Sequence, residues 1–220
     1  MTSLRALAPH LYRPPDPDRL IICFEDQDIV VVNKPPGLLS VPGRGPDKAA
    51  SAATYLETLF GEIHIVHRLD MDTSGLMVVA RHRSALKHLA RQFQTRQVLK
   101  TYFAVVEGIP KEASGTINLP IAAYSRARPL RHIEDGGQDA ITHWEKASAT
   151  SCTSRLILRP ETGRSHQLRL HLSEIGHPIL GDPFYGNPET AGRLLLHASQ
   201  LGLMSPTGDT PLLFESPPIF

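Results

Sequence analysis

The sequence predicts one α+β domain, and three observations carry that reading. Most of the chain breaks into short apolar or β-branched runs separated by Pro, Gly, Asp and Ser, the pattern of strands joined by turns. Only a few stretches, the longest at 48–60, 84–93 and 165–175, space their apolar residues as one face of a helix. With 220 residues, 41% of them hydrophobic and 20% charged, the chain is long enough to bury a core of its own.

Taken in order, residues 1–18 are rich in Pro and charge and read as a flexible arm, leaving 19–220 as the folded domain. Runs at 20–24 and 29–33, split by Glu25-Asp26-Gln27-Asp28, read as a hairpin. Lys34-Pro35-Pro36-Gly37 ends the second strand. An Ala-rich helix over 48–60 closes on Gly61 and offers Ala52, Tyr55, Leu56 and Leu59 to the core. Next comes Val66 to Arg81, V-H-R-L-D-M-D-T-S-G-L-M-V-V-A-R, a strand, a polar loop and a second strand. Ser84 can cap a helix that buries Leu86, Leu89, Ala90 and Phe93 and exposes Lys87 and Arg91. A strand over 98–107 puts Lys100, Tyr102 and Ala104 on one side. Short strands follow at 116–119, 140–146 and 155–159. A helix over 165–175, with Ser165 as N-cap and Gly176 as C-cap, lines up Leu168, Leu172 and Ile175. Asn187-Pro188-Glu189 opens a brief helix with Pro at its first position. Runs at 194–201 and 211–214 close the domain.

Composition excludes more than it assigns. No apolar run approaches a membrane span, and the N-terminus lacks the apolar core of a secretory signal. Cys23 and Cys152 form no C-x-x-C pair, so neither a zinc site nor a disulfide framework is indicated, and a reducing cytoplasm is the expected setting. His166 and His171 would point about 140° apart on a helix, which fails as a metal pair. The net charge of +1 is unevenly spread. Between Arg81 and Lys100 stand Arg83, Lys87, Arg91 and Arg96 without an acid among them, and Arg126, Arg128 and Arg131 form a second basic stretch. Such runs are ordinary solvated faces unless a site lies beside them.

The loop between 66 and 76 is one candidate site. A carboxylate on a loop anchored at both ends by strands is a common seat of chemistry. Turn geometry alone also accounts for Asp70 and Asp72. Arg164, at a strand-to-helix junction, is a second candidate, since a helix N-terminus attracts anions.

Three segments in this order resemble the signature of the RluA family of pseudouridine synthases. They are His67-Arg68-Leu69-Asp70 with Thr73-Ser74-Gly75-Leu76, then Lys100-x-Tyr102-x-Ala104, then Thr162-Gly163-Arg164-x-His166-Gln167-Leu168-Arg169. Asn33-Lys34-Pro35-x-Gly37, Gly176-His177-Pro178-Ile179-x-Gly181-Asp182 and Leu195-Leu196-His197-Ala198 support the match, which covers nearly the whole chain from about Ile21. Gly37 to Arg44 and the compact length are similar to the RluA branch, which lacks an appended S4 RNA-binding module. Gln138 departs from the pattern, standing where relatives carry a Lys.

The resemblance implies a bent, mostly antiparallel mixed sheet flanked by helices and loops, and an isomerase that turns uridine into pseudouridine without cofactor or metal. It implies Asp70 as the catalytic carboxylate, Arg164 as its bidentate partner, and Tyr102 as the aromatic that stacks on the base and relays a proton. The target must flip out of a loop to reach the carboxylate. Arg68 and His67 beside the nucleophile, and Leu168 and Leu196 packed around it, are the expected contacts to the base and its surroundings, although the two leucines fit a core equally well. Lys87, Arg91, Arg96 and Arg128 are the expected phosphate contacts. The partner implied is RNA, a tRNA anticodon loop or a 23S rRNA loop, bound by a monomer. Two rivals stand beside this: a glycoside hydrolase using Asp70 and Asp72, and a non-catalytic RNA-binding domain.

Overall fold

The run from Ser74 to Ala80, with every residue buried, forms an inner strand of the sheet. The computed structural model describes residues 12–124, 130–208 and 210–220. Twelve strands and three α-helices follow in chain order: β1 (Ile21–Glu25), β2 (Ile29–Lys34), α1 (Ala52–Phe60), β3 (His64–Ile65), β4 (Ser74–Ala80), α2 (Arg83–Gln94), β5 (Leu99–Glu107), β6 (Ser114–Asn118), β7 (Ile121–Ala123), β8 (Arg131–Ile133), β9 (Ile141–Ala149), β10 (Thr153–Pro160), α3 (Gln167–Glu174), β11 (Leu196–Met204) and β12 (Pro211–Glu215). Ten strands form one sheet, ordered β1-β2-β4-β11-β5-β10-β9-β6, with β3 on β4 and β12 on β11; β7 and β8 pair separately. Among the described residues only β4 and β11 run parallel, through His197 opposite Ser74 and Ala198 opposite Gly75. All the other pairs are antiparallel.

The period of two along β2 and β4 sorts their side chains to opposite faces. Val30, Val32, Met77 and Val79 meet Ala52, Ala53 and Leu56 of α1 on one face. Ile29, Val31, Leu76, Val78 and Ala80 meet Ala85 and Leu89 of α2 on the other. A separate core joins Ala104 and Val106 of β5, Leu156 and Leu158 of β10, and Leu168 and Leu172 of α3. Tyr102 packs against both this core and the α1 core, so it lies on the seam between them.

Several boundaries differ from the sequence expectation for local reasons. α1 begins at Ala52, not 48, because Ser51 and Thr54 form a reciprocal capping box there. The cap of α2 is His82, not Ser84: its Nδ1 accepts the Ala85 N–H at 3.2 Å while its Nε2 sits 2.8 Å from the buried Asp28 carboxylate. The expected Ser165 cap of α3 is replaced by His166 in the left-handed region at φ 58°, with no side-chain capping bond. Part of the expected arm is docked. Tyr12 is buried, and its hydroxyl donates to the Ala50 carbonyl at 2.9 Å and accepts from Leu39 N–H at 3.1 Å. Residues 1–11 of that arm, together with Arg126 and Arg128, lie outside the described residues. Among the described residues no helix is long and apolar enough to cross a membrane.

Candidate active site

The loop at 66–73 is held from below by the segment that follows β2. Ser40 Oγ donates to the Leu69 carbonyl at 2.7 Å and accepts the Leu69 N–H at 3.1 Å. The Met71 carbonyl accepts from Gly37 N–H at 2.9 Å and from Lys34 Nζ at 3.0 Å. Lys34 is wholly buried and also donates to the carbonyls of Pro35 and Leu38. Burial pulls its pKa down to about 7, against the opposing charges of Asp72 and Asp70. Asn33-Lys34-Pro35-x-Gly37 is therefore a clamp on the residues that flank Asp70. At the far end, a Cβ on Gly75 (φ 113°) would lie 2.3 Å from the Ala198 carbonyl oxygen, so only glycine allows β4 to approach β11 this closely.

Asp70 itself is partly open, its side chain 25% exposed, and it faces a buried arginine. That arginine is Arg169, whose Nη1 lies 3.4 Å from Asp70 Oδ2. The expectation for Arg164 is corrected here. Arg164 is exposed and its Nε donates to the Asp139 carbonyl at 3.0 Å. The reason is the left-handed turn at His166, which starts α3 only at Gln167. Arg164 then stays outside the helix, its N–H taken by Gln167 Oε1 at 3.0 Å, while Arg169 in the first helical turn is carried inward. An arginine buried in this way needs a partner; the flanking Leu168, Leu170 and Leu172 signal its burial in the sequence, but not what it pairs with.

The partner is Asp182, on the turn after α3. Arg169 Nε and Nη2 grip its carboxylate at 2.8 and 2.7 Å, a bidentate fork. Asp182 is fully buried and also accepts the N–H groups of Phe184 and Tyr185. Burial alone would lower the Arg169 pKa, but the hydrogen bonds and charge of Asp182, joined by Asp70, raise it instead. Burial would raise Asp182, and Arg169 with the two N–H bonds holds it low. The Arg169 guanidinium also lies over the rings of Phe184, 4.8 Å away, and Tyr185, 5.5 Å away. The result is a permanent cation with its orientation fixed, one edge left for Asp70.

Around this pair stand two further groups. Tyr102 is half-buried on β5, its pKa raised by burial and then by the Asp70 charge. His166 approaches from the other side, its Nε2 3.9 Å from Asp70 Oδ1. Next to the loop, Gly37, Asp72, Gly181 and Arg193 line an open cleft of about 320 Å³.

The remaining expected contacts divide. Leu168 and Leu196 are buried in the core that Tyr102 borders and are packing residues, as their spacing also allowed. His67 is engaged by the fold: its Nε2 accepts the Val78 N–H at 3.1 Å and its ring stacks on Phe93 at 4.7 Å. Burial, then the charge of Lys100, lowers its pKa to about 4. Arg68, Lys87, Arg91 and Arg96 are exposed. Arg96 sits in the left-handed region at φ 59° just past α2 and reaches Glu161 at 3.4 Å.

Comparison with known proteins agrees on one family. Residues 28–174 match the RNA pseudouridylate synthases. The chain is 44% identical over 214 residues to the dual-specificity RNA pseudouridine synthase RluA of Escherichia coli, covering 95% of this chain and 98% of that one. It is 45% identical over 201 residues to its counterpart from Yersinia pestis, covering 89% and 98%. Among solved structures, human RNA pseudouridylate synthase domain containing 1 superposes with a TM-score of 0.77 at 29% identity, over 93% of this chain and 86% of that one.

Proposed function

This chain belongs to the RNA pseudouridylate synthase family, and we propose that it isomerises uridine with Asp70 as the catalytic carboxylate, on a base flipped from a loop of tRNA, 23S rRNA or both. The observation that carries the reading is the Asp70–Arg169 contact at 3.4 Å, at the seam where Tyr102 stands.

The reaction breaks the N1–C1′ bond, turns the uracil and joins C5 to C1′. The C5 proton leaves to solvent and N1 gains one, so nothing is oxidised and no atom is gained or lost overall. Asp70 serves that exchange as the one carboxylate beside the reacting bond, by attack on C1′, by addition to the ring or by taking a sugar proton. Arg169 holds it in place through an edge that Asp182 cannot occupy. Tyr102 supplies a ring face for the loosened base, a contact worth about 1–3 kcal/mol in single-stranded recognition. Its raised pKa keeps the phenol protonated, which suits a stacking surface and proton relay rather than a standing base.

A stacked uracil cannot reach a partly buried carboxylate, so the nucleotide must leave its stack. Arg68, exposed on the same loop, enters the space it vacates or meets a phosphate in this reading. Lys87, Arg91 and Arg96 meet the RNA backbone. The relatives' dual specificity supports assigning two RNAs to this chain; action as a monomer in the cytoplasm is part of the proposal. Glycoside hydrolysis and non-catalytic RNA binding are not favoured.

Tritium release from RNA labelled at uracil C5 tests the proposal. Asp70→Asn is expected to abolish release while RNA affinity stays near wild type; release at the wild-type rate rejects Asp70. Tyr102→Phe should keep affinity and lose rate, and an unchanged rate removes the proton relay. Mapping pseudouridines by carbodiimide-dependent reverse-transcription stops, in RNA from cells lacking the protein, decides between one substrate RNA and two.

A further inference from the structure

We infer that His166 is a positioning residue for Asp70, an imidazole whose Nε2–H takes the carboxylate oxygen that Arg169 does not. The inference rests on Asp70 being the catalytic carboxylate. The two oxygens of Asp70 have different neighbours: Oδ2 has Arg169 Nη1 at 3.4 Å and Oδ1 has His166 Nε2 at 3.9 Å. The second distance exceeds a hydrogen bond. Catalytic contacts in unliganded enzymes are often long and tighten when substrate fills the site.

The ring's hydrogen is assigned by its other nitrogen. Tyr185 Oη accepts the Arg131 N–H at 2.9 Å, and His166 Nδ1 lies 2.9 Å from the same oxygen. Donation of the Tyr185 O–H to Nδ1 satisfies all three groups at once. Burial pushes the Tyr185 pKa up to about 12, so that proton stays in place. With Nδ1 accepting, a neutral imidazole carries its hydrogen on Nε2, toward Asp70. The ring is neutral: burial, first, and the cations Arg169 and Arg131 outweigh Asp70 and Asp182 and bring its pKa to about 4. Phe184, stacked on the imidazole at 5.4 Å, and Tyr185, edge-on at 5.6 Å, fix its plane.

The backbone adds an independent observation. His166 is one of two non-glycine residues at positive φ among the described residues. It also contributes no side-chain cap to α3, so helix capping does not explain the conformation. What the left-handed turn does achieve is to bring the imidazole to Asp70 while the same helix brings Arg169. Residues held in such conformations concentrate at functional sites.

The experiment compares His166→Gly, which keeps the backbone conformation without the ring, with wild type in single-turnover tritium release. A loss of about 10²-fold in the rate of the bound complex is expected, the scale of a misplaced catalytic group, with KM unchanged. Imidazole added to His166→Gly should recover about tenfold of that loss, whereas 1-methylimidazole, which can accept from Tyr185 but has no N–H for Asp70, should recover none. His166→Asn, also at ease in the left-handed region but too short to reach Asp70, should show the same loss and stands in if the glycine variant does not fold. A wild-type rate in either variant, or equal rescue by both imidazoles, overturns the inference. Turnover by Asp70→Asn would instead reject the reading of Asp70 beneath it.

Discussion

Asp182 is the residue on which the geometry of the site turns, although it has no expected contact with substrate. A buried arginine and a buried aspartate are each costly alone, and their bidentate bond offsets that cost only while both are present. Replacing Arg169 by Met leaves Asp182 buried and unpaired, a loss of about 3–5 kcal/mol measurable by urea unfolding. Arg169→Lys keeps a charge but loses the planar fork, so it cannot serve Asp182 and Asp70 together. Tritium release by this variant should fall far more than its thermal stability. Arg164→Gln, by contrast, removes an exposed side chain bound to one carbonyl and should change stability by no more than about 0.5 kcal/mol. If Arg164→Gln rather than Arg169→Lys loses activity with stability intact, the assignment of the two arginines is reversed.

At the level of elements, Asp70 and Arg169 are each placed by a junction. The 66–73 loop is fixed by β4 on one side and by the Lys34 clamp on the other. Met71 accepts both clamp bonds, so Lys34→Met strips the loop of one donor and leaves carbonyls of Pro35 and Leu38 unpaired. Gly75→Ala puts a methyl carbon into the β11 backbone. It is expected to loosen the one parallel pair of the sheet and to cost activity and stability together, read as increased hydrogen exchange in β4 and β11. Unaltered exchange in both strands would show that the close approach is not needed. Ser51→Ala is the control of the same scale: it removes the capping box of α1, costs about 1 kcal/mol and leaves the Asp70 loop in register.

Across the whole molecule, two bulk properties follow. His67 and His166 are half-buried and neutral, each with a pKa lowered from 6.5 to about 4. Between those values the unfolded chain binds protons that the native state does not, so stability rises with pH. Their contribution is complete above 6.5 and is lost as pH falls toward about 4. Urea midpoints measured across that window should drop with acidification, and His67→Gln should reduce the slope by close to one proton, because the amide still accepts the Val78 N–H. A slope unchanged by that substitution places the proton uptake elsewhere. The second property is charge. Lys87, Arg91 and Arg96 lie on and just beyond α2, whose Phe93 stacks on His67 at the start of the Asp70 loop. Neutralising any one that touches phosphate should shorten the slope of log affinity against log salt by about 0.7.

Sequence by itself determined much of this protein. Apolar periodicity located the three helices and most strands, and the order of the His-Arg-Leu-Asp, Lys-x-Tyr and Thr-Gly-Arg segments indicated the family and Asp70. These signals are local: a period of two or 3.6, a turn residue, or a short run of adjacent letters. Which arginine meets Asp70 was not local. It depended on a left-handed turn at His166 that delays the helix by one residue, and on Asp182 arriving from a turn beyond that helix. The same holds for Lys34, whose surroundings come from two loops, and for His67, whose imidazole serves a backbone N–H eleven residues away. A burial cost is set by everything that surrounds a group at once, so only the tertiary structure decided which charged residues pair in the interior and which stay in water.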